Sequence, residues 1–303
     1  MTGWLINDTL TCIPNTKTLW HDLLDWFPRL EDKTGGHTSF ENLADTIEKN
    51  LQNETAPDYI IRNATFFRRL SVDVPTISYL QDVYTDQRLW HQIEVCNNSV
   101  ITVFNSSFVH NIYAPKIDCE TCIIPIGTDF EHFCKESVEP IDILPDSILY
   151  VGSSDVTTKG FDVVLDLIDN TDYNFCLVMK HEYELEHPRV KVYNSVEHQV
   201  LKQIYNQCSV LICPSNIETL HLAGIEAGAC GTPIVANPVG IYSDLKGDPR
   251  WGHLVTDGDF KTSLEKVLRD PTAYNPREVF LGAGLDKATS HNKWKELIEK
   301  VIG

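Results

Sequence analysis

Apolar residues in the second half of this chain gather in runs of about four, and the stretches between the runs carry apolar positions three or four apart. Runs at 148–151, 175–179, 210–213 and 233–236 read as strands of a buried parallel sheet, because an unbroken apolar run leaves no side for water, and 190–193, interrupted by Lys191, reads as a further strand. Between them, 161–168 places Phe161, Val164, Leu165 and Ile168 on one stripe, the pattern of a helix lying on a sheet, and 197–207 and 219–229 read as further helices. Alternation of this kind predicts a doubly wound parallel sheet. The first half is α/β as well, with strands expected at 4–11, 59–62, 76–80 and 100–104, helices at 19–26 and 40–51, and Pro57, Pro75 and Pro115 as punctuation. The charged, proline-bearing stretch 134–147 reads as a linker, and a last helix is expected at 294–302. With 303 residues, two domains are the natural division, 1–137 and 138–283, with 284–303 as a C-terminal segment.

The segment 214–233 concentrates the candidate chemistry. It runs from one buried strand to the next, so its loop opens at a strand's carboxyl end, where open parallel sheets bind ligands beside helix N-termini that favour anions. Glu218 stands at the expected start of the helix and Glu226 eight positions on, about 12 Å along a helix axis. A small group cannot touch both carboxylates. An extended ligand with hydroxyls at each end and negative charge between them can, since carboxylates accept strong hydrogen bonds from polyols. A nucleotide-sugar has that form: ribose toward Glu226, diphosphate at the N–H groups of Thr219, Leu220 and His221, sugar toward Glu218. The plain alternative is that Glu218 complements the helix dipole and Glu226 faces water. The small residues around Glu226, Ala227-Gly228-Ala229-Cys230-Gly231, weigh against it by implying close approach of backbone or ligand.

Pro214-Ser215, Glu218, Glu226-Ala227 and Cys230-Gly231-Thr232-Pro233 together resemble the signature of the retaining glycosyltransferase family 4. Other pieces match in order. Pro125-Ile126-Gly127-Thr128-Asp129 resembles the family's inter-domain Pro-Asn-Gly-Val-Asp; Val151-Gly152 followed by Lys159-Gly160-Phe161-Asp162 resembles its Val-Gly strand and Lys-Gly helix start; His253-Leu254-Val255 and a helix ending Leu268-Arg269-Asp270 resemble its closing elements. The likeness covers about residues 120 to 270 well and the first 110 poorly. It implies a GT-B fold, α/β, with two Rossmann-like domains whose parallel sheets face across a cleft, and a terminal helix that crosses back to the first domain. It further implies transfer of a sugar, with retention, from a nucleoside-diphosphate sugar to an acceptor hydroxyl, the donor in the second domain and a saccharide or glycan acceptor in the first, with no obligatory metal or cofactor.

Family roles then fall on particular residues. Lys159 matches the lysine that neutralises the departing diphosphate, Glu226 the ribose ligand, and Glu218 the residue that holds the transferred sugar. The family's arginine after the Val-Gly strand is missing: Gly152 is followed by Ser153 and Ser154, and the loop to Lys159 is one residue longer. The glycine-rich turn after the first Glu reads Thr219-Leu220-His221, so His221 is a candidate contact to phosphate or sugar. The amino-terminal Gly-Gly loop is replaced by Pro14-Asn15-Thr16-Lys17-Thr18, which offers Lys17 as a substitute cation. Gln81 and Asp82 follow a strand where the family carries a sugar-facing histidine; a polar pair there is also ordinary turn chemistry.

Composition narrows the picture further. A formal net charge of −18 argues against a protein that coats nucleic acid or lies on anionic lipid. It leaves room for a local basic cleft, and Arg62, Arg68 and Arg69 form a candidate cluster. The short length and reduced first domain also resemble virus-encoded members that glycosylate modified bases in DNA, which makes DNA an alternative acceptor; a catalytically inactive nucleotide-sugar-binding relative is a second alternative. No apolar run approaches the roughly 20 residues that span a bilayer, and Met1-Thr2-Gly3-Trp4 does not open a signal peptide; a soluble cytoplasmic protein is expected. Nine cysteines, several inside predicted elements, suit free thiols in a reducing compartment. Cys119-Glu120-Thr121-Cys122 has CxxC spacing but no second pair at metal-ligand spacing, so no metal site is expected.

Overall fold

The computed structural model describes residues 3–6, 16–18, 57–64 and 73–303. The chain divides into two compact units, Met1–Ile126 with Ala288–Gly303, and Gly127–Lys287. The helices expected at 19–26 and 40–51, residues 7–11 of the first strand, and Arg68 and Arg69 lie outside the described residues.

The first unit holds a six-stranded parallel sheet in the order β2-β1-β3-β4-β5-β6. Its strands are β1 (Gly3–Ile6), β2 (Thr16–Thr18), β3 (Tyr59–Asn63), β4 (Thr76–Leu80), β5 (Ile101–Phe104) and β6 (Glu120–Ile123). Helices α1 (Arg88–Asn97) and α2 (Ser107–Tyr113) follow β4 and β5. The strand period of two sorts the core: Tyr59, Ile61, Ile77, Tyr79, Ile101 and Val103 share one apolar cluster, whereas Leu80, Phe104, Ile93, Val95 and Val109 share another with α1 and α2. Two expectations are corrected here. Residues 16–18 are not a loop but a strand, paired in parallel with β1 so that Lys17 stands opposite Trp4; Thr on either side of Lys17 suits extended backbone. Arg62 is not on a solvated basic face: it lies in β3 at 3% exposure.

The second unit has strands β7 (Ile148–Gly152), β8 (Phe175–Met179), β9 (Val190–Asn194), β10 (Val210–Cys213), β11 (Ile234–Ala236) and β12 (Gly252–Leu254), in the order β12-β11-β10-β7-β8-β9. Counted from β7, this is the Rossmann order 3-2-1-4-5-6, and it reverses between β7 and β10. Helices α3 (Val156–Lys159), α4 (Phe161–Asn170), α5 (His198–Gln207), α6 (Leu222–Ala229), α7 (Phe260–Arg269) and α8 (Pro276–Gly282) complete it. Val164, Leu167 and Ile168 of α4 and Leu264 and Val267 of α7 pack on the sheet, as an apolar stripe requires. The stretch 134–147 is no free linker. It belongs to this unit and is tied to α5, where Lys202 pairs with Glu136 at 2.7 Å, Asn206 bonds the Cys134 carbonyl and the Glu136 N–H, and Gln207 accepts from the Ile141 N–H.

The last helix, α9 (Lys287–Ile302), begins seven residues before its expected start, and residues 288–303 belong to the first unit. Ser290, Trp294, Leu297 and Ile298 form its buried stripe. Trp294 meets Tyr79 edge-on at 5.6 Å, and Ser290 Oγ donates to the Pro125 carbonyl at 2.8 Å. Among the described residues no helix is long and apolar enough to cross a membrane. Trp294→Ala should remove a fully buried side chain and cost about 3–5 kcal/mol, read as a lower urea midpoint for the intact chain; an unchanged midpoint would mean that α9 contributes little to the first unit.

Candidate active site

The site grows from the point where the second sheet reverses. Strands β7 and β10 are neighbours whose following loops must diverge, which opens a crevice at their carboxyl ends. After β7, Gly152 leads into Ser153, half-buried, and Ser154, exposed; the Tyr150 hydroxyl folds over and donates to the Ser153 carbonyl at 2.7 Å. A Cβ on Gly152 would stand 2.7 Å from that hydroxyl, so this close packing requires glycine. Asp155 then caps the short helix α3, accepting from the N–H groups of Thr157 and Thr158. Lys159 ends α3, and Gly160 turns the chain with φ +61° into α4.

The loop after β10 docks on that turn. The N–H groups of Asn216 and Ile217 donate to the Thr158 carbonyl at 2.9 and 3.3 Å, and Asn216 Nδ2 donates to the Thr157 carbonyl at 2.9 Å. From the other side, Asn237 after β11 donates to the carbonyls of Pro214 and Ser215. Glu218 is thereby set against Lys159, whose Nζ lies 2.7 Å from its carboxylate, and Ser215 Oγ donates to the same oxygen at 2.9 Å. The pair is half-sheltered, with side-chain exposure of 33% for Lys159 and 11% for Glu218. Burial pushes the Glu218 carboxyl up, but the neighbouring charges of His221 and Lys159 and the bonds from Lys159 and Ser215 outweigh it and hold it below the ordinary carboxylate value. Burial lowers the His221 imidazole, against the opposing pull of Glu218.

The helix expected at 219–229 begins only at Leu222, because His221 adopts φ +71°, ψ +68°, a conformation that cannot continue an α-helix. Thr219 and Leu220 therefore precede the helix. Leu220 is 2% exposed, and its carbonyl accepts from the Ile241 N–H. His221 Nδ1 and the Tyr242 hydroxyl are 2.6 Å apart, and Tyr242 stacks on Trp251 at 5.1 Å. Gly224 makes room for both: a Cβ there would be 1.8 Å from the Tyr242 oxygen.

Glu226 lies further along α6 in a different setting. It is not the solvated face residue of the plain alternative. Its carboxylate accepts from the Tyr205 hydroxyl of α5 at 2.9 Å, and burial raises it to about 7 despite that bond. Tyr205 is itself fully buried. The segment 214–229 thus presents one carboxylate held ionised by a cation and another held near neutrality by burial.

Lys159, Glu218 and His221 come together beside the turn after α3, and Glu226 belongs to the same loop–helix segment as Glu218 and His221. Gln81 and Asp82 follow β4 in the other unit; Gln81 is buried at 9%, and its carbonyl accepts from Asn105 Nδ2. Sequence reasoning did not single out Ser215, Tyr205, Tyr242, Asn237 or Cys213. Cys213 ends β10, and its Sγ, a Glu218 carboxylate oxygen and a His221 ring nitrogen all lie within 4.8 Å of one another. The CxxC cysteines have no comparable group around them among the described residues; Cys119 Sγ contacts Thr102 Oγ1 at 3.3 Å.

Comparison with known proteins bears on this geometry. Residues 145–270 match the family described as glycosyl transferases group 1. A D-inositol 3-phosphate glycosyltransferase of Stackebrandtia nassauensis is 31% identical over 106 residues, which is 34% of this chain and 23% of that protein, so the chain spans about a quarter of its length. Among solved structures, sucrose-phosphate synthase from Thermosynechococcus elongatus superposes with a TM-score of 0.74 at 18% identity, over 96% of this chain and 82% of that one. HepE of Anabaena in complex with UDP-glucose gives 0.72 at 15% identity, over 99% of this chain and 100% of that one. The fold is the GT-B fold of these glycosyltransferases, and the resemblance seen in the sequence is supported over residues 145–270, which are similar to the group 1 glycosyltransferases.

Proposed function

We propose that the chain transfers a sugar from a nucleoside-diphosphate sugar to a hydroxyl of a saccharide or glycan, with retention, the second unit taking the donor and the first the acceptor. The observation that carries this is the pairing of Lys159 with Glu218 at the carboxyl ends of β7 and β10, on the same segment as the half-buried Glu226. A donor supplies what each group needs. Its diphosphate gives Lys159 a stronger anionic partner, its sugar hydroxyls donate to Glu218, and its ribose hydroxyls donate to Glu226. The ion pair thus holds both charges in place until the donor exchanges one partner for two. Charge on the departing diphosphate develops only as the glycosidic bond breaks, so a fixed cation there lowers the barrier more than it tightens ground-state binding. In this reading no metal is required, since Lys159 and the N–H groups around 219–222 meet the phosphates, and the diphosphate oxygen takes the acceptor's proton on the face it leaves. The UDP-glucose bound to HepE supports a nucleotide-sugar as the donor class.

Two substitutions test the assignment by nucleoside diphosphate release with and without acceptor. Lys159→Ala should lower turnover about 10²- to 10³-fold, the scale of losing one charge-stabilising group. Glu226→Ala should weaken donor binding, with its main effect on KM. Wild-type kinetics in both would remove the donor site from this segment.

The Glu226 carboxyl gives a pH signature. Its folded value of about 7 lies above the ordinary 4.5, so between those values the folded chain holds a proton that the unfolded chain releases. Stability therefore falls as pH rises through that window and is level above it. Glu226→Gln should raise stability at pH 8, by at most about 3 kcal/mol, and leave it nearly unchanged at pH 5. Donor binding has the opposite sense: an ionised carboxylate is the better hydroxyl acceptor, so affinity should rise between pH 6 and 8 in the wild type and stay flat in Glu226→Gln. Calorimetry with an intact nucleotide-sugar, whose diphosphate diester does not titrate there, reads this directly, and a flat wild-type profile would count against Glu226 as the ribose ligand.

A further inference from the structure

Three side chains of different chemistry converge where β10 ends. Cys213 is the last residue of the strand, Glu218 is pinned by Ser215 and Lys159, and His221 caps α6 from the left-handed region. A β-carbon-bearing residue held there costs on the order of 1 kcal/mol relative to glycine. Asp146 and Ser195, the other non-glycine residues with positive φ among the described residues, are exposed polar residues outside helices and strands. His221 alone of the three stands at the crevice, and the strain aims its ring at a thiol and a carboxylate.

We propose that Cys213, Glu218 and His221 bind one thiophilic divalent cation, zinc foremost, with the fourth position left to water or an incoming ligand. The donor set decides the class: thiolate, imidazole and carboxylate suit zinc, whereas magnesium and calcium take oxygen shells. Tetrahedral coordination with the usual bond lengths sets such donor atoms about 3.3–3.6 Å apart. Here they lie within 4.8 Å, so closure needs about 1 Å of side-chain movement. The second-sphere support is also present. With Nδ1–H donating to the Tyr242 hydroxyl, the ring is oriented and Nε2 is the nitrogen left to ligate.

Lys159 is the competing cation. Its ammonium and the metal would share one carboxylate, so the metal displaces it, and a side chain one-third exposed can swing into water. Zinc would then take Glu218 from the sugar and occupy the space beside it. That consequence, inhibition competitive with the donor, rests on the proposed function; metal binding itself does not.

The test uses the full chain, stripped of metal, carrying Cys119→Ser and Cys122→Ser so that the CxxC cannot compete. Calorimetry with Zn²⁺ should find one equivalent at micromolar or tighter affinity, and Co²⁺ should show a thiolate-to-metal charge-transfer band. Cys213→Ala should abolish the band and weaken Zn²⁺ at least tenfold. His221→Gly should weaken it as much, and glycine at φ +71° keeps the backbone unstrained, so this variant decides the matter should Cys213→Ala fold poorly. Lys159→Met should tighten Zn²⁺ several-fold by removing the rival charge. Absence of binding, or binding indifferent to both ligand substitutions, overturns the proposal. Sugar transfer without zinc binding would overturn only this inference, while zinc binding in a chain that releases no nucleoside diphosphate would leave it standing and remove the donor reading.

Discussion

A Cβ at position 160 would stand 2.2 Å from the Pro214 carbonyl oxygen, and everything in the crevice follows from the glycine that avoids this clash. Backbone meets backbone there, so the loop after β10 can settle on the turn after α3 and form its bonds to Thr157 and Thr158. Lys159 and Glu218 are 59 positions apart, yet they reach 2.7 Å because the chain on each side is fixed by main-chain contacts rather than by the charges themselves. The ion pair is therefore a result of the fold more than a cause of it. A half-sheltered pair repays little of its desolvation, so it adds little to stability.

Residues 218 and 226 show how one segment gives the same side chain two protonation behaviours. Glu218 is half-buried, and His221, Lys159 and the Ser215 hydroxyl outweigh its desolvation and sustain its charge; Glu226 is half-buried with one phenol for company, so desolvation suppresses its charge. Tyr205, too deeply buried to ionise near neutral pH, meets the Glu226 carboxylate as a hydrogen-bond donor. The contrast comes from packing neighbours on α3 and α5, not from any difference in the acidic residues.

Much of the second unit was legible because its strands are buried on both faces and write themselves as apolar runs; β8 and β10 fall at the expected residues. The start of α6 was not, since residues 219–221 suit a helix by composition and nothing local announces that His221 will take a conformation more usual for glycine. Motif spacing singled out Lys159, Glu218 and Glu226 as candidates, but it did not show their contacts. Spacing alone put Glu218 at a helix start as a ligand, and only the docking of two loops made it the partner of Lys159. Tyr205 lies on an apolar stripe with Leu201 and Ile204, which reads as core, and its hydroxyl gains meaning from a helix 21 positions away. Cys213 ends an apolar strand and reads as an inert thiol until β10 delivers it beside Glu218 and His221.

The packing of α9 bears on how the molecule comes into being. Trp294, Leu297 and Ile298 cover a sheet face whose strands β3 to β5 end by residue 104, so the ribosome makes the whole of the second unit before that face can be closed. During synthesis the second unit, contiguous in sequence, can collapse as a piece, while the first waits with Tyr59, Ile77 and Tyr79 lacking their cover. The nascent chain therefore passes through an interval in which its second unit is complete and its first is sticky. Chaperone dependence, or aggregation on overproduction, would originate in that interval and in that sheet.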